Sequence, residues 1–308
     1  FQTKVMTNSK GLRDMEFAYE KSDTIRIAAI GDSFAFGYGV EADESYPKII
    51  GTILNNKTNS KVEAINFGVP GYSNDNSLLQ LLVEVKKYNP DIVILGFNGQ
   101  TDLHNNLVSK IYLVKDNKLI KNEVPKITFS LKLRNFLSSK SHLYNLVNFI
   151  IENYKSGGNF YNSLDKVQYA VDFGGIIYVK KNPPELEKAF QKTELLIKSM
   201  KDSSESIGAD FVLLIIPSKE QVDKGKLMHR LKLSGLQGEE LDVDKIQRRI
   251  INFSMKNDIK YIDILPELRK RNINSTFYFE IDGHLNKNGY RATAEFVADW
   301  LVKNHLVK

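Results

Sequence analysis

The stretch Ile25-Arg26-Ile27-Ala28-Ala29-Ile30, followed at once by Gly31-Asp32-Ser33, constrains this chain more than any other. An apolar run of strand length that stops at a small polar turn reads as a buried parallel strand delivering a serine to the carboxyl edge of a sheet. Open α/β sheets bind ligands at that edge. The glycine-rich Phe34-Ala35-Phe36-Gly37-Tyr38-Gly39 continues the turn, and Ser45 as cap with Pro47 in the first turn predicts a helix after it. Ser33 is thus expected in a loop between a strand end and a helix start, where free backbone N–H groups can hold an anion. A serine that only turns the chain fits the same residues.

Two further runs repeat the pattern. Lys61 to Phe67 reads as a strand ended by Gly68-Val69-Pro70-Gly71, and Asp91 to Leu95 as one that runs out into Gly96-Phe97-Asn98-Gly99-Gln100-Thr101-Asp102. Between them Ser73 or Asn74 caps a helix carrying Leu78, Leu81, Leu82 and Val85, which Pro90 stops. In a parallel sheet all three strand endings share one edge, so a pocket belongs there. After Pro183-Pro184 the alternation resumes, with a helix over 185–206, a strand over 210–216, a helix near 243–256, a strand over 260–264 and a closing helix bearing Ala294, Val297, Trp300 and Leu301. The pattern predicts a three-layer α/β sandwich with a parallel, flavodoxin-like sheet, formed by residues 1–112 and 184–308.

Residues 113–183 break that rhythm and are too long for a plain connection, so they are expected to be an insertion that caps the edge. An amphipathic helix is predicted over 143–154, with glycine pairs at 157–158 and 174–175. The insertion's Phe136, Leu137, Leu143, Leu146, Val147 and Phe149 suit a small core of its own or the lining of an acyl or sugar pocket. Residues 217–240 read as a lysine-containing excursion.

Composition narrows the function. With 42% hydrophobic and 26% charged residues over 308, the chain is of ordinary soluble globular type, and no apolar run approaches the roughly 18 residues of a membrane span. The absence of cysteine excludes disulfides, thiolate metal sites and a thiol nucleophile. A net charge of +6 comes from scattered lysines without aromatic interleaving, which argues for a solvated basic surface and against nucleic acid. The first residue is Phe1 rather than Met, which fits removal of an upstream signal or anchor and an extracytoplasmic or membrane-anchored protein.

His284 lies two positions from Asp282, just ahead of the closing helix. Residues two apart in an extended segment face the same side. A nucleophilic serine needs a base within reach and a third group that orients the base, and Ser33, His284 and Asp282 are of those three types. A turn or helix cap with a surface histidine also accounts for Asp-x-His. His104, just past the third strand, is a second candidate base. His142, His229 and His305 fall elsewhere and none has metal-ligand spacing, so neither a metal nor a cofactor is expected.

Together, Gly31-Asp32-Ser33, Asn66-Phe67-Gly68, Gly96-Phe97-Asn98 and Asp282-Gly283-His284 resemble the ordered blocks of the SGNH, or GDSL-type, hydrolase superfamily. The resemblance implies Ser33 as nucleophile, His284 as base, Asp282 as its orienter, and an oxyanion hole of the Ser33 and Gly68 backbone N–H groups with the Asn98 amide. Gly99 stands where the third block usually has aspartate, which draws attention to how the Asn98 loop is supported. The Asp-x-His spacing resembles that of members that acetylate or deacetylate polysaccharides. The expected function is an acyl-ester hydrolase acting through an acyl-serine on a small-molecule or carbohydrate ester. The alternatives are transfer of the acyl group to a sugar hydroxyl and a low-turnover carbohydrate-binding module. A nucleotide-binding flavodoxin-like domain ranks last, because the first loop has neither a P-loop nor a Gly-x-Gly-x-x-Gly turn.

Overall fold

The computed structural model describes residues 3–122, 136–138, 140–145, 147–148, 174–236, 238–271 and 276–308. Strand β1 (Ile25–Gly31) is the second of a five-stranded sheet in the order β2-β1-β3-β6-β7, with β2 Val62–Asn66, β3 Ile92–Asn98, β6 Asp210–Ile216 and β7 Lys260–Asp263. Every neighbouring pair is parallel, with Ala28 opposite Ile65 on one side and Val93 on the other, and Leu95 opposite Leu213. This is the expected flavodoxin-like order, and its direction reverses between β1 and β3, where such sheets bind ligands.

The continuous apolar runs exist because both faces are covered. Ala28, Ile30, Val93, Leu95, Phe97, Leu213 and Ile215 face one core, which holds residues of helices α3 (Asn74–Val83), α5 (Pro184–Ser206) and α8 (Lys245–Lys256). Ile27, Ala29, Ile92, Ile94, Val212, Leu214 and Ile216 face the other, shared with α2 (Tyr46–Lys57) and α10 (Lys287–Lys303). Each of the valine, leucine, isoleucine and phenylalanine side chains among them contributes about 1.5–3 kcal/mol by burial. Between α3, α4 (Gly99–Val108) and α5 runs a buried polar layer: Lys192 is paired with Asp75 at 2.7 Å, and the Asn106 amide donates to Asn74 and Thr193.

Several elements differ from the expectation. Ser33 lies in a short helix, α1 (Ser33–Phe36), rather than in a loop, because the Asp32 carboxylate caps it by accepting from Phe34 N at 2.9 Å. Residues 217–240 hold two helices, α6 (Lys219–Val222) and α7 (Lys224–Leu233), the second capped by Asp223. A helix, α9 (Leu265–Arg271), follows β7. The insertion opens with a hairpin of β4 (Tyr112–Lys115) and β5 (Lys118–Lys121), turned by Asp116 and Asn117 at φ 50° and 57°. Two such residues with positive φ make the turn that matches strand twist. Most of the predicted helix over 143–154 and the glycines at 157–158, with Leu146 and Phe149, lie outside the described residues.

Candidate active site

The end of β1, the cap of α1 and the start of α10 bring three chemical groups together. Ser33 Oγ lies 2.6 Å from His284 Nε2, and His284 Nδ1 lies 2.5 Å from Asp282 Oδ1. The same Asp282 oxygen accepts from the His284 backbone N–H at 2.8 Å, a local turn that fixes carboxylate and ring relative to each other. The hydrogen bond from His284 holds the Asp282 carboxyl below its usual range, and Lys219 acts in the same direction against the cost of burial. An ionised carboxylate only accepts, so Nδ1 carries the ring hydrogen and Nε2 presents its lone pair to the serine hydroxyl. The arrangement can therefore take a proton from Ser33. His104 sits on α4, and the serine hydroxyl is bonded to His284 instead.

Two aromatic rings fix the imidazole, and the sequence reading did not single them out. Phe34 and Tyr38 lie 5.0 and 4.7 Å from the His284 ring, centroid to centroid. Their signal was their nearness to Ser33 in the glycine-rich run. Immediately after His284, Asn286 caps α10 by accepting from Asn288 and Gly289, while its amide donates to the Thr276 and Tyr278 carbonyls.

The three implied oxyanion donors are in different states. Ser33 opens α1, so its N–H precedes the helix's own bonds, and it has no acceptor among the described residues. The Gly68 N–H donates to Asn66 Oδ1 at 2.9 Å. The Asn98 amide donates to the Ile216 and Pro217 carbonyls at 3.2 and 3.4 Å, and its oxygen caps α4. Gly68 must be glycine, because a β-carbon there would lie 2.2 Å from Phe36 N and displace the serine helix.

The Asn98 loop is supported without the usual aspartate. Asp102 accepts from the Asn98 backbone N–H at 2.8 Å and from the Asn74 amide at 3.2 Å. Burial holds its carboxyl well above the ordinary range, and the charge of Asp32 adds to the effect. Asp32 is itself raised by burial and accepts from the Thr101 hydroxyl at 3.1 Å.

Adjacent residues of the lead-in segment clamp both loops of the site. Buried Arg13 donates to the carbonyls of Phe36, Gly37 and Val40, and Asp14 accepts from Asn66 N at 2.9 Å and from Lys48 at 2.6 Å. A cavity of about 750 Å³ beside Val222, Leu227 and Met228 has none of Ser33, Asp282 and His284 in its lining, so shape alone would have pointed elsewhere. Among the described residues, no cluster of His, Asp or Glu could hold a metal ion, and no helix is long and apolar enough to cross a membrane.

Residues 29–106 match the family model of the GDSL-like lipase/acylhydrolase family, and residues 179–308 match that of the SGNH hydrolase-like domain, acetyltransferase AlgX. The first segment holds Ser33, Gly68 and Asn98, and the second holds Asp282 and His284. Similar solved structures include the lipase/acylhydrolase from Enterococcus faecalis, at 13% identity and TM-score 0.49 over 91% of this chain and 97% of that one. A member of the lipolytic G-D-S-L family from Veillonella parvula has 12% identity and TM-score 0.44 over 91% and 100%. An acetyl xylan esterase has 15% identity and TM-score 0.48 over 90% and 99%. No curated protein matches the chain.

Proposed function

Starting from a chain of the SGNH, or GDSL-type, hydrolase superfamily, we propose that Ser33 is the nucleophile of acyl-ester chemistry on a small-molecule or carbohydrate ester. The observation that carries the reading is the unbroken series of contacts from Ser33 Oγ through His284 to Asp282, at 2.6 and 2.5 Å. His284 Nε2 takes the hydroxyl proton as Oγ attacks the ester carbonyl. The imidazolium, steadied by Asp282, returns it to the departing alcohol, leaving the acyl group on Ser33. Water then attacks the acyl-serine, with His284 again as base, and releases the acid.

The Ser33 N–H is the ready donor for the oxyanion. Gly68 N–H and the Asn98 amide join it by sharing or exchanging their internal acceptors as the substrate oxygen arrives, and hydrogen bonds of this kind tighten in the reacting complex. Each donor is worth about a hundredfold to a thousandfold in rate. The body is assigned to residues 1–112 and 184–308 and the insertion to 113–183, a division supported by the direct pairing of β3 with β6 across that gap.

A second acceptor is favoured by one observation, the acetyltransferase description of the model matched over residues 179–308. A sugar hydroxyl in place of water would make the protein an O-acyltransferase by the same steps. Hydrolysis of p-nitrophenyl acetate tests the shared chemistry, and Ser33→Ala is expected to lower the rate at least about a thousandfold. Adding an oligosaccharide and finding acetylated sugar would favour transfer. A wild type that releases no nitrophenol yet binds sugar, or a Ser33→Ala variant as fast as wild type, would overturn the proposal.

A further inference from the structure

Residues 279–284 carry Asp282 and His284, yet none of them is buried, and Ile281 is 99% exposed. Among the described residues, apolar packing on this loop is limited to the partly buried Phe279 and to the rings of Phe34 and Tyr38 against the imidazole, so polar ties carry much of its register with Ser33. Its flanks are tied by the Tyr278 hydroxyl, which donates to the Pro217 carbonyl at 2.7 Å, and by Phe279 N donating to the His284 carbonyl at 3.0 Å. The loop's backbone is gripped by a side chain from outside it. Lys219, three residues past the end of β6, donates from Nζ to the carbonyls of Phe279 at 2.6 Å and Glu280 at 2.5 Å. Two successive peptide planes next to Asp282 are thereby oriented by a single cation, and charge-assisted bonds of this type are roughly twice as strong as neutral ones.

We infer that Lys219 is a positioning residue of the site, which fastens the loop bearing Asp282 and His284 to the end of β6 and lays a positive charge beside their carboxylate–imidazole pair. The inference rests on the reading of that pair as the base of the reaction. When the pair takes up a proton its net charge goes from −1 to 0, and a neighbouring cation favours the −1 form, in which Nε2 is free to act. Other charges bear on the two groups. Lys226, Glu280, Glu220 and Asp223 surround Lys219, and Lys226 is ion-paired with the Glu280 side chain. Asp32 interacts with His284 from the serine helix, and the rings of Phe34 and Tyr38 pack on the imidazole. Lys219 helps to hold the Asp282 carboxyl below its usual range, alongside the hydrogen bond and charge of His284.

The test compares wild type with Lys219→Met, Lys219→Gln and Lys219→Arg, by kcat and KM for p-nitrophenyl acetate against pH and by NMR titration of the His284 ring. Loss of the charge in Met or Gln is expected to move the acid limb and the ring's midpoint upward by roughly half a pH unit. In Lys219→Met kcat falls about tenfold with KM nearly unchanged, from looser placement of the base. Gln, which keeps a donor, loses less kcat, and Arg restores both the limb and most of the rate. Should Lys219→Met fail to fold, Lys219→Gln reads the charge alone. A limb and ring midpoint that coincide with wild type in the uncharged variants overturn the inference, whatever happens to kcat. If wild type hydrolyses no ester, the functional reading fails, while the ring titration still decides the role of Lys219.

Discussion

A β-carbon added at Gly99 would sit 2.5 Å from Cγ2 of Ile246 on α8, a branched side chain with little room to yield. The position that usually holds an aspartate in the third block is thus closed to one by packing, and Asp102, one helical turn on, takes the Asn98 N–H instead. Gly99→Asp is accordingly expected to destabilise by about 1–3 kcal/mol through overpacking and to leave ester hydrolysis no faster. A urea midpoint at or above wild type, or a faster enzyme, would show that packing is not the reason for glycine. Asp102 was not legible in the sequence as a support, because its bond to Asn98 depends on the start of α4 and on burial, neither of which the residue pattern encodes. Asn98 itself was legible, but the bonds of its amide to carbonyls 118 and 119 positions away were not.

The strands were readable because a doubly covered parallel strand needs an unbroken apolar run, which β1 has from Ile27, β3 from Ile92 and β6 from Phe211. Short elements were harder. Helix α1 has four residues, too few for any periodicity to register, and only Asp32 as a cap marked it. The role of the lead-in segment escaped as well, since Arg13 reaches carbonyls 23 to 27 positions ahead. One guanidinium there ties the end of the serine helix to the loop holding Tyr38. Arg13→Ala is expected to cost about 2–4 kcal/mol, counting the lost bonds to a charged donor. Arg13→Lys should recover less than half, because an ammonium lacks the planar fork that spans three carbonyls. Chemical denaturation of the two variants checks both figures, and equal stability of Arg13→Lys and wild type would reduce the arginine to a simple charge.

At the scale of the molecule, the sheet order β2-β1-β3-β6-β7 sets the serine at the reversal point and lets the chain return from 250 residues away, with α10 packed beside α2. Global stability should also register the buried carboxyl of Asp102. Unfolded, it ionises near pH 4, whereas burial raises it in the fold. Its contribution is complete below the unfolded value and is lost as pH rises through the folded one. Wild type should therefore lose part of its urea resistance from weakly acid pH upward, and Asp102→Asn should remove that part of the slope. An identical pH dependence in the two proteins would contradict it. The 251 positions between Ser33 and His284 carry one more consequence. A ribosome releases the hydroxyl long before the imidazole, so the nascent chain bears only an inert alcohol. On the proposed function, the site is complete only once residues 282–284 have emerged and α10 has docked, and a proteolytic nick that frees that helix is expected to abolish ester hydrolysis.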